Sequence, residues 1–145
     1  DKYRLDVLFV PFQKKSDTAI CRDVSRRMKH PSGIFEGDSA QVLSAVTNAR
    51  AVVGMRLHAL IFATAAGVPS IGIVYDQKVS AFYEMLEERH TVDCEQLDEA
   101  LLLGHLDAIL QDDGAARRTV QAAAALKQSA LQNAAAAQAL LEGEV

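Results

Sequence analysis

Residues 51–63 read Ala51-Val52-Val53-Gly54-Met55-Arg56-Leu57-His58-Ala59-Leu60-Ile61-Phe62-Ala63. The first residues are a short apolar strand pattern, and from Arg56 onward the pattern is helical. An arginine and a histidine therefore fall in the first turn of a helix, at the end of a strand. Free backbone N–H groups and the helix dipole already favour an anion there. The next strand pattern, Ser70 to Tyr75, runs into Asp76-Gln77-Lys78 and adds another cation. If the two strands are neighbours, their ends make a phosphate or carboxylate site.

The same alternation extends outward. Leu5-Asp6-Val7-Leu8-Phe9-Val10, stopped by Pro11, reads as a first, buried strand. Ser16 or Asp17 then caps a helix to about His30, with Ile20, Val24 and Met28 on its inner face. Ile34-Phe35-Glu36 reads as a short second strand. Asp38 and Gln41 have capping-box spacing and open a helix that turns Val42, Leu43 and Val46 to the core. The helix from Arg56 ends near Ala66, with Gly67 and Pro69 as its stop. After Lys78 a helix over 79–88 is anchored by Phe82, Tyr83 and Leu86. Thr91-Val92 is a brief last strand, and 97–110 is amphipathic. The Ala-rich stretch 114–141 reads as a long helix of high intrinsic propensity. Its Val120 and Leu131 share one side and Leu126 points elsewhere, so docking relies on close alanine contacts.

Near-continuous apolar strands alternating with helices predict an α/β fold, a parallel sheet with helices on both faces. The βα loops, 13–17, 37–39, 55–58 and 76–78, then share one edge, where such sheets bind ligands. The organisation expected is one domain over 1–112 followed by the C-terminal helix, 113–145. At 145 residues, half of them hydrophobic and 23% charged, the chain is long and apolar enough for a core. A net charge of −4 argues against a broad nucleic-acid surface. No apolar run is long enough to span a bilayer, and no signal peptide is expected. Cys21 and Cys94 read as reduced thiols of a cytoplasmic protein, with a disulfide left open. The start at Asp1, inside a lead-in to a strand, reads as a piece of a longer protein.

Each candidate residue has two readings. Arg56 can grip a carboxylate or phosphate with two parallel hydrogen bonds, or cap a neighbouring helix. His58 is a base or hydrogen-bond donor, or a core-edge histidine bonded to a loop carbonyl. Lys78 suits phosphate as a movable point charge, or is a solvated lysine. Asp76 reads first as a helix cap, and second as the group that orients Lys78 or a substrate hydroxyl. Lys14 and Lys15 can line the same edge or be solvated. His30, His90 and His105 show no metal-ligand spacing, so no metal is expected. GxGxxG after the first strand, GxxxxGK[ST] and GxSxG are all absent.

Gly54–Ala63, then Gly67-Val68-Pro69, then Tyr75-Asp76-Gln77-Lys78-Val79, closely resemble the polysaccharide pyruvyl transferase family, in particular its cell-wall polymer branch. Phe9-Val10-Pro11-Phe12-Gln13 followed by Asp17 is similar to the family's pattern as well. The resemblance runs from about Leu5 to Leu86. It implies a Rossmann-like, donor-binding domain resembling the C-terminal half of a GT-B fold, with a partner N-terminal domain that supplies the glycan site. It also implies transfer of the pyruvyl group of phosphoenolpyruvate, as a ketal, to a sugar of a cell-wall or exopolysaccharide. No cofactor beyond that donor is implied. The acceptor is a glycan, lipid-linked or free, which suits the cytoplasm and the inner face of the membrane. By the same resemblance Arg56, Leu57, His58 and Lys78 bind donor and His58 is catalytic, with Asp76, Tyr75 and Lys14 in support. Gln77 replaces the family's usual proline.

Two other readings stand beside this one. The first is a GT-B glycosyltransferase or epimerase domain that takes a nucleotide sugar. The second is a non-catalytic anion-binding module, inactive as an isolated fragment. Exposed Val120 and Leu131 would favour a homo-oligomer.

Overall fold

The computed structural model describes residues 3–142, so residues 1, 2 and 143–145 of the expected segments lie outside the description. The elements alternate β1 (Val7–Phe9), α1 (Lys14–Arg27), β2 (Ser32–Ile34), α2 (Ser39–Thr47), β3 (Val52–Gly54), α3 (Leu57–Ala65), β4 (Ser70–Val74), α4 (Gln77–Met85), β5 (Thr91–Asp93), α5 (Glu99–Gln111) and α6 (Ala115–Glu142). This is a Rossmann-like α/β arrangement in which every described strand pairing is parallel. The strands form two open sheets, β1-β2 and β3-β4-β5, and the chain divides into two compact units between Asn48 and Ala49.

In the first unit Val7, Leu8 and Phe9 pair with Ser32, Gly33 and Ile34. Ser25 of α1 and Ser32 of β2 share a 2.8 Å hydroxyl contact, and Arg22 reaches Glu36 at 3.1 Å. The Asp38 capping box forms as its spacing predicts. Asp38 Oδ1 accepts from Gln41 N, and Gln41 Oε1 accepts from Asp38 N, both at 2.9 Å. Val42 and Val46 are buried.

Several expectations for this unit need correction. β1 is exposed at Val7 and Leu8, because its only sheet neighbour among the described residues is β2. α1 starts at Lys14, since the Asp17 carboxylate accepts from Gln13 N at 2.9 Å and so ties the turn before it. Ile20 is 63% exposed and α1 buries no residue: an apolar stripe marks a face, not what covers it. β2 lies two residues before the expected strand, and Leu43 is exposed.

The second unit holds the larger sheet. β4 is central, with Val52–Gly54 beside Ser70–Gly72 and Gly72–Val74 beside Thr91–Asp93. Leu60, Val79 and Tyr83 form the core cluster, with Val74 and Phe82 packed against it. Full burial of a side chain such as Leu60 contributes about 2 kcal/mol. The core is closely packed at Gly72, where a Cβ would stand 2.6 Å from Cε2 of the Tyr83 ring. Tyr83 is 3% exposed and ties its hydroxyl to Ser70 Oγ at 2.8 Å.

α3 ends as its sequence predicts. Gly67 takes φ +71°, a conformation that costs other residues a Cβ clash, and Val68 N donates back to Ala63 O at 2.8 Å. The Val120 methyl of α6 covers Gly67, 2.6 Å from where a Cβ would be. α6 packs on α3 near its own start, while Leu131, Leu140 and Leu141 are exposed. No described helix is long and apolar enough to cross a membrane.

Candidate functional site

Strand register builds the site. β3 and β4 are parallel neighbours with Gly54 opposite Gly72, so the residues that follow both strands emerge at one carboxyl edge. Adjacent strands lie about 4.8 Å apart. Arg56, Leu57 and His58 follow β3; Tyr75, Asp76 and Lys78 follow β4. The condition on which the sequence reading depends, that the two strands are neighbours, is met. Lys14 opens α1 in the first unit.

Arg56 occupies the N-cap of α3 in extended conformation and makes no capping bond. Its guanidinium carries donors only, so it cannot accept from the first-turn N–H groups. The contrast with α2, α4 and α5 is chemical, because those helices are capped by Asp38, Asp76 and Asp98. The first turn of α3 thus presents backbone donors beside a cation. His58 is exposed on that turn. Arg56 and Leu57 are half-buried.

α4 begins at Gln77, earlier than expected, and Lys78 therefore stands in its first turn. Asp76 serves both readings given to it. Its Oδ1 accepts from Lys78 N at 3.0 Å, and its Oδ2 pairs with Lys78 Nζ at 3.2 Å. The Lys78 ammonium also lies 5.3 Å from the centre of the Tyr75 ring. The backbone N–H of Lys78 and then its side chain hold the Asp76 carboxyl below the usual carboxylate range. Tyr75 and then Asp76 hold the Lys78 ammonium above its ordinary value. All three side chains are exposed, so an anion that approaches Lys78 meets a cation already turned toward its own helix cap.

A family model described as polysaccharide pyruvyl transferase matches residues 1–77. The chain belongs to the polysaccharide pyruvyl transferase family. The match takes in Arg56, Leu57, His58, Tyr75 and Asp76, and it ends one residue before Lys78. That family is one of transferases. No curated protein and no solved structure matches it.

One feature of the second unit had no signal in the sequence. His90, just before β5, and His105, in α5, are fifteen positions apart yet bring their Nδ1 atoms within 3.1 Å. Neither residue is at the carboxyl edge, and no local motif joins a loop residue to the middle of a later helix.

Proposed function

We propose that this chain is the donor-binding domain of an enzyme that moves the pyruvyl group of phosphoenolpyruvate onto two hydroxyls of a polysaccharide sugar. The observation that carries the reading is Arg56 at the uncapped start of α3, on a strand next to the one that leads to Lys78. Phosphoenolpyruvate carries a carboxylate and a phosphate. A bidentate arginine, a lysine and first-turn N–H groups suit those two anions together.

In this reading His58 is the general acid. It delivers a proton to C3 of the enol, or to the departing phosphate. Protonation at C3 makes C2 electrophilic, and a sugar hydroxyl adds there. The C2–O bond to phosphate then breaks, a second hydroxyl adds, and the ketal closes. One hydroxyl proton balances the new methyl group, and the other leaves with phosphate. Tyr75 and Asp76 act through Lys78 as positioning residues. A companion N-terminal domain supplies the groups that hold the glycan.

Calorimetric titration with phosphoenolpyruvate tests the reading. Saturable binding is expected, lost in Arg56→Ala and weakened in Lys78→Ala. Binding that Arg56→Ala leaves unchanged, or a preference for a nucleotide sugar, would overturn it. In the full-length enzyme His58→Asn should retain donor binding and abolish turnover.

A further inference from the structure

His90 precedes β5 and accepts Gly72 N on its carbonyl at 2.9 Å, so it stands at the amino edge of the sheet, away from Arg56 and Lys78. The His90 and His105 rings cross at 87° with centroids 5.1 Å apart. With their Nδ1 atoms at 3.1 Å, one nitrogen carries a proton and the other accepts it. On its far side His90 turns Nε2 toward Glu88 Oε2 at 3.8 Å. A proton on Nε2 faces that carboxylate favourably, which assigns His90 Nδ1 as acceptor and His105 Nδ1–H as donor.

We propose that His90 and His105 form a pH-sensitive clasp that fastens α5 to the amino end of β5 and opens when the pair takes up a second proton. The first added proton is tolerated, because an imidazolium on one ring still donates to a neutral partner. The second leaves two N–H groups and two like charges facing each other with no acceptor between them.

The other charges around the pair do not remove this conflict. Glu88, from the loop after α4, and Asp112, from the α5–α6 junction, favour protonation of His90, while Arg118 of α6 opposes it. Asp112 and Arg118 are paired at 2.6 Å and largely offset each other. Burial, the largest influence, holds His90 below the usual imidazole range. Among the described residues no set of three or more His, Cys, Asp or Glu side chains is arranged to hold a metal, so the pair reads as a proton device. α5 depends on it because the helix is thinly anchored. Ile109 is its one fully buried residue; Leu102, Leu106 and Leu110 are only half-buried, and Leu101 and Leu103 are exposed.

The sign follows from linkage. The closed pair excludes a proton that the open chain binds. Its stabilising contribution is whole above the ordinary imidazole value of about 6.5 and is lost as pH falls below it. One excluded proton shifts opening about tenfold per pH unit, or roughly 30-fold between neutrality and about pH 5.

Native-state hydrogen exchange of the α5 amides, corrected for intrinsic rates, at about pH 7.5 and about pH 5 measures this opening. The expected result is the 30-fold rise in the native chain, with imidazole NMR showing two coupled steps rather than one. His105→Gln, which keeps a hydrogen-bonding group and cannot take a charge, should hold α5 closed and remove most of the pH dependence. His90→Gln should do the same from the other side. A change below about threefold in the native chain, or an undiminished pH dependence in the glutamine variants, would overturn the proposal. So would two imidazoles that titrate independently near their ordinary value, a readout that needs no variant.

Discussion

Gly72→Ala puts a methyl group against a side chain that cannot retreat. The new Cβ would lie 2.6, 3.1 and 3.2 Å from Cε2, Cζ and Cδ2 of Tyr83. That ring is buried, its hydroxyl is tied to Ser70, and Phe82 stands edge-on to it with centroids 6.1 Å apart. Gly72 itself is paired on both sides in the central strand. Neither partner can give way without moving the sheet, so overpacking should cost about 2 kcal/mol. For a unit of this size the cost corresponds to a drop in Tm of roughly 8–12 °C. Tyr83→Leu removes the obstructing ring and loses its own packing and hydroxyl bond, again about 2 kcal/mol. In the double variant the two costs should overlap by at least about 1 kcal/mol, because the clash exists only when methyl and ring are both present. Thermal unfolding of the four proteins by far-UV circular dichroism and calorimetry measures that coupling. A Gly72→Ala protein within about 0.5 kcal/mol of the native chain, or strictly additive costs, would refute the account.

Three further outcomes follow from single residues. Thr64 is 4% exposed and its hydroxyl has no hydrogen-bond partner among the described residues, so Thr64→Val should stabilise by about 1 kcal/mol in chemical denaturation. Asp76→Asn should keep the α4 cap but lose the hold on the Lys78 ammonium, weakening phosphoenolpyruvate binding a few-fold by calorimetry, whereas Asp76→Ala should also fray α4 in hydrogen exchange. Because the Asp76 carboxyl is held low, the stability it contributes should be whole above the ordinary value of 3.8 and fade as pH falls below it. Gly67→Ala should cost about 1–2 kcal/mol through its φ alone and speed proteolysis near the start of α6, where Val120 covers the turn.

What the sequence made legible is what local chemistry decides. Asp38 and Gln41 are three residues apart, and each satisfies the other's backbone donor, so that helix start needed no tertiary information. Gly67 and Pro69 end α3 for equally local reasons. The carboxyl-edge site was legible because alternation implies a parallel sheet and so implies where Arg56 and Lys78 emerge. The α4 start was read late because its apolar rhythm begins at Val79, while the Asp76 cap governs from Gln77 onward. The exposure of β1 and α1 was beyond reach, since the spacing of Ile20 and Val24 predicts a face and nothing about its cover. The His90–His105 contact was illegible because it depends on how α5 lies against β5, and neither histidine sits in a motif.

The two ends of α3 carry different loads. Arg56 stands at one end and the Gly67–Val120 contact closes the other, with a nine-residue helix between them. Such a helix is about 13 Å long and has no hinge of its own. A push on α6 at Val120 therefore reaches the turn that carries Arg56 as a tilt of a rigid rod. The orientation of Arg56 is thus tied, through one short helix, to a glycine and a valine at its other end.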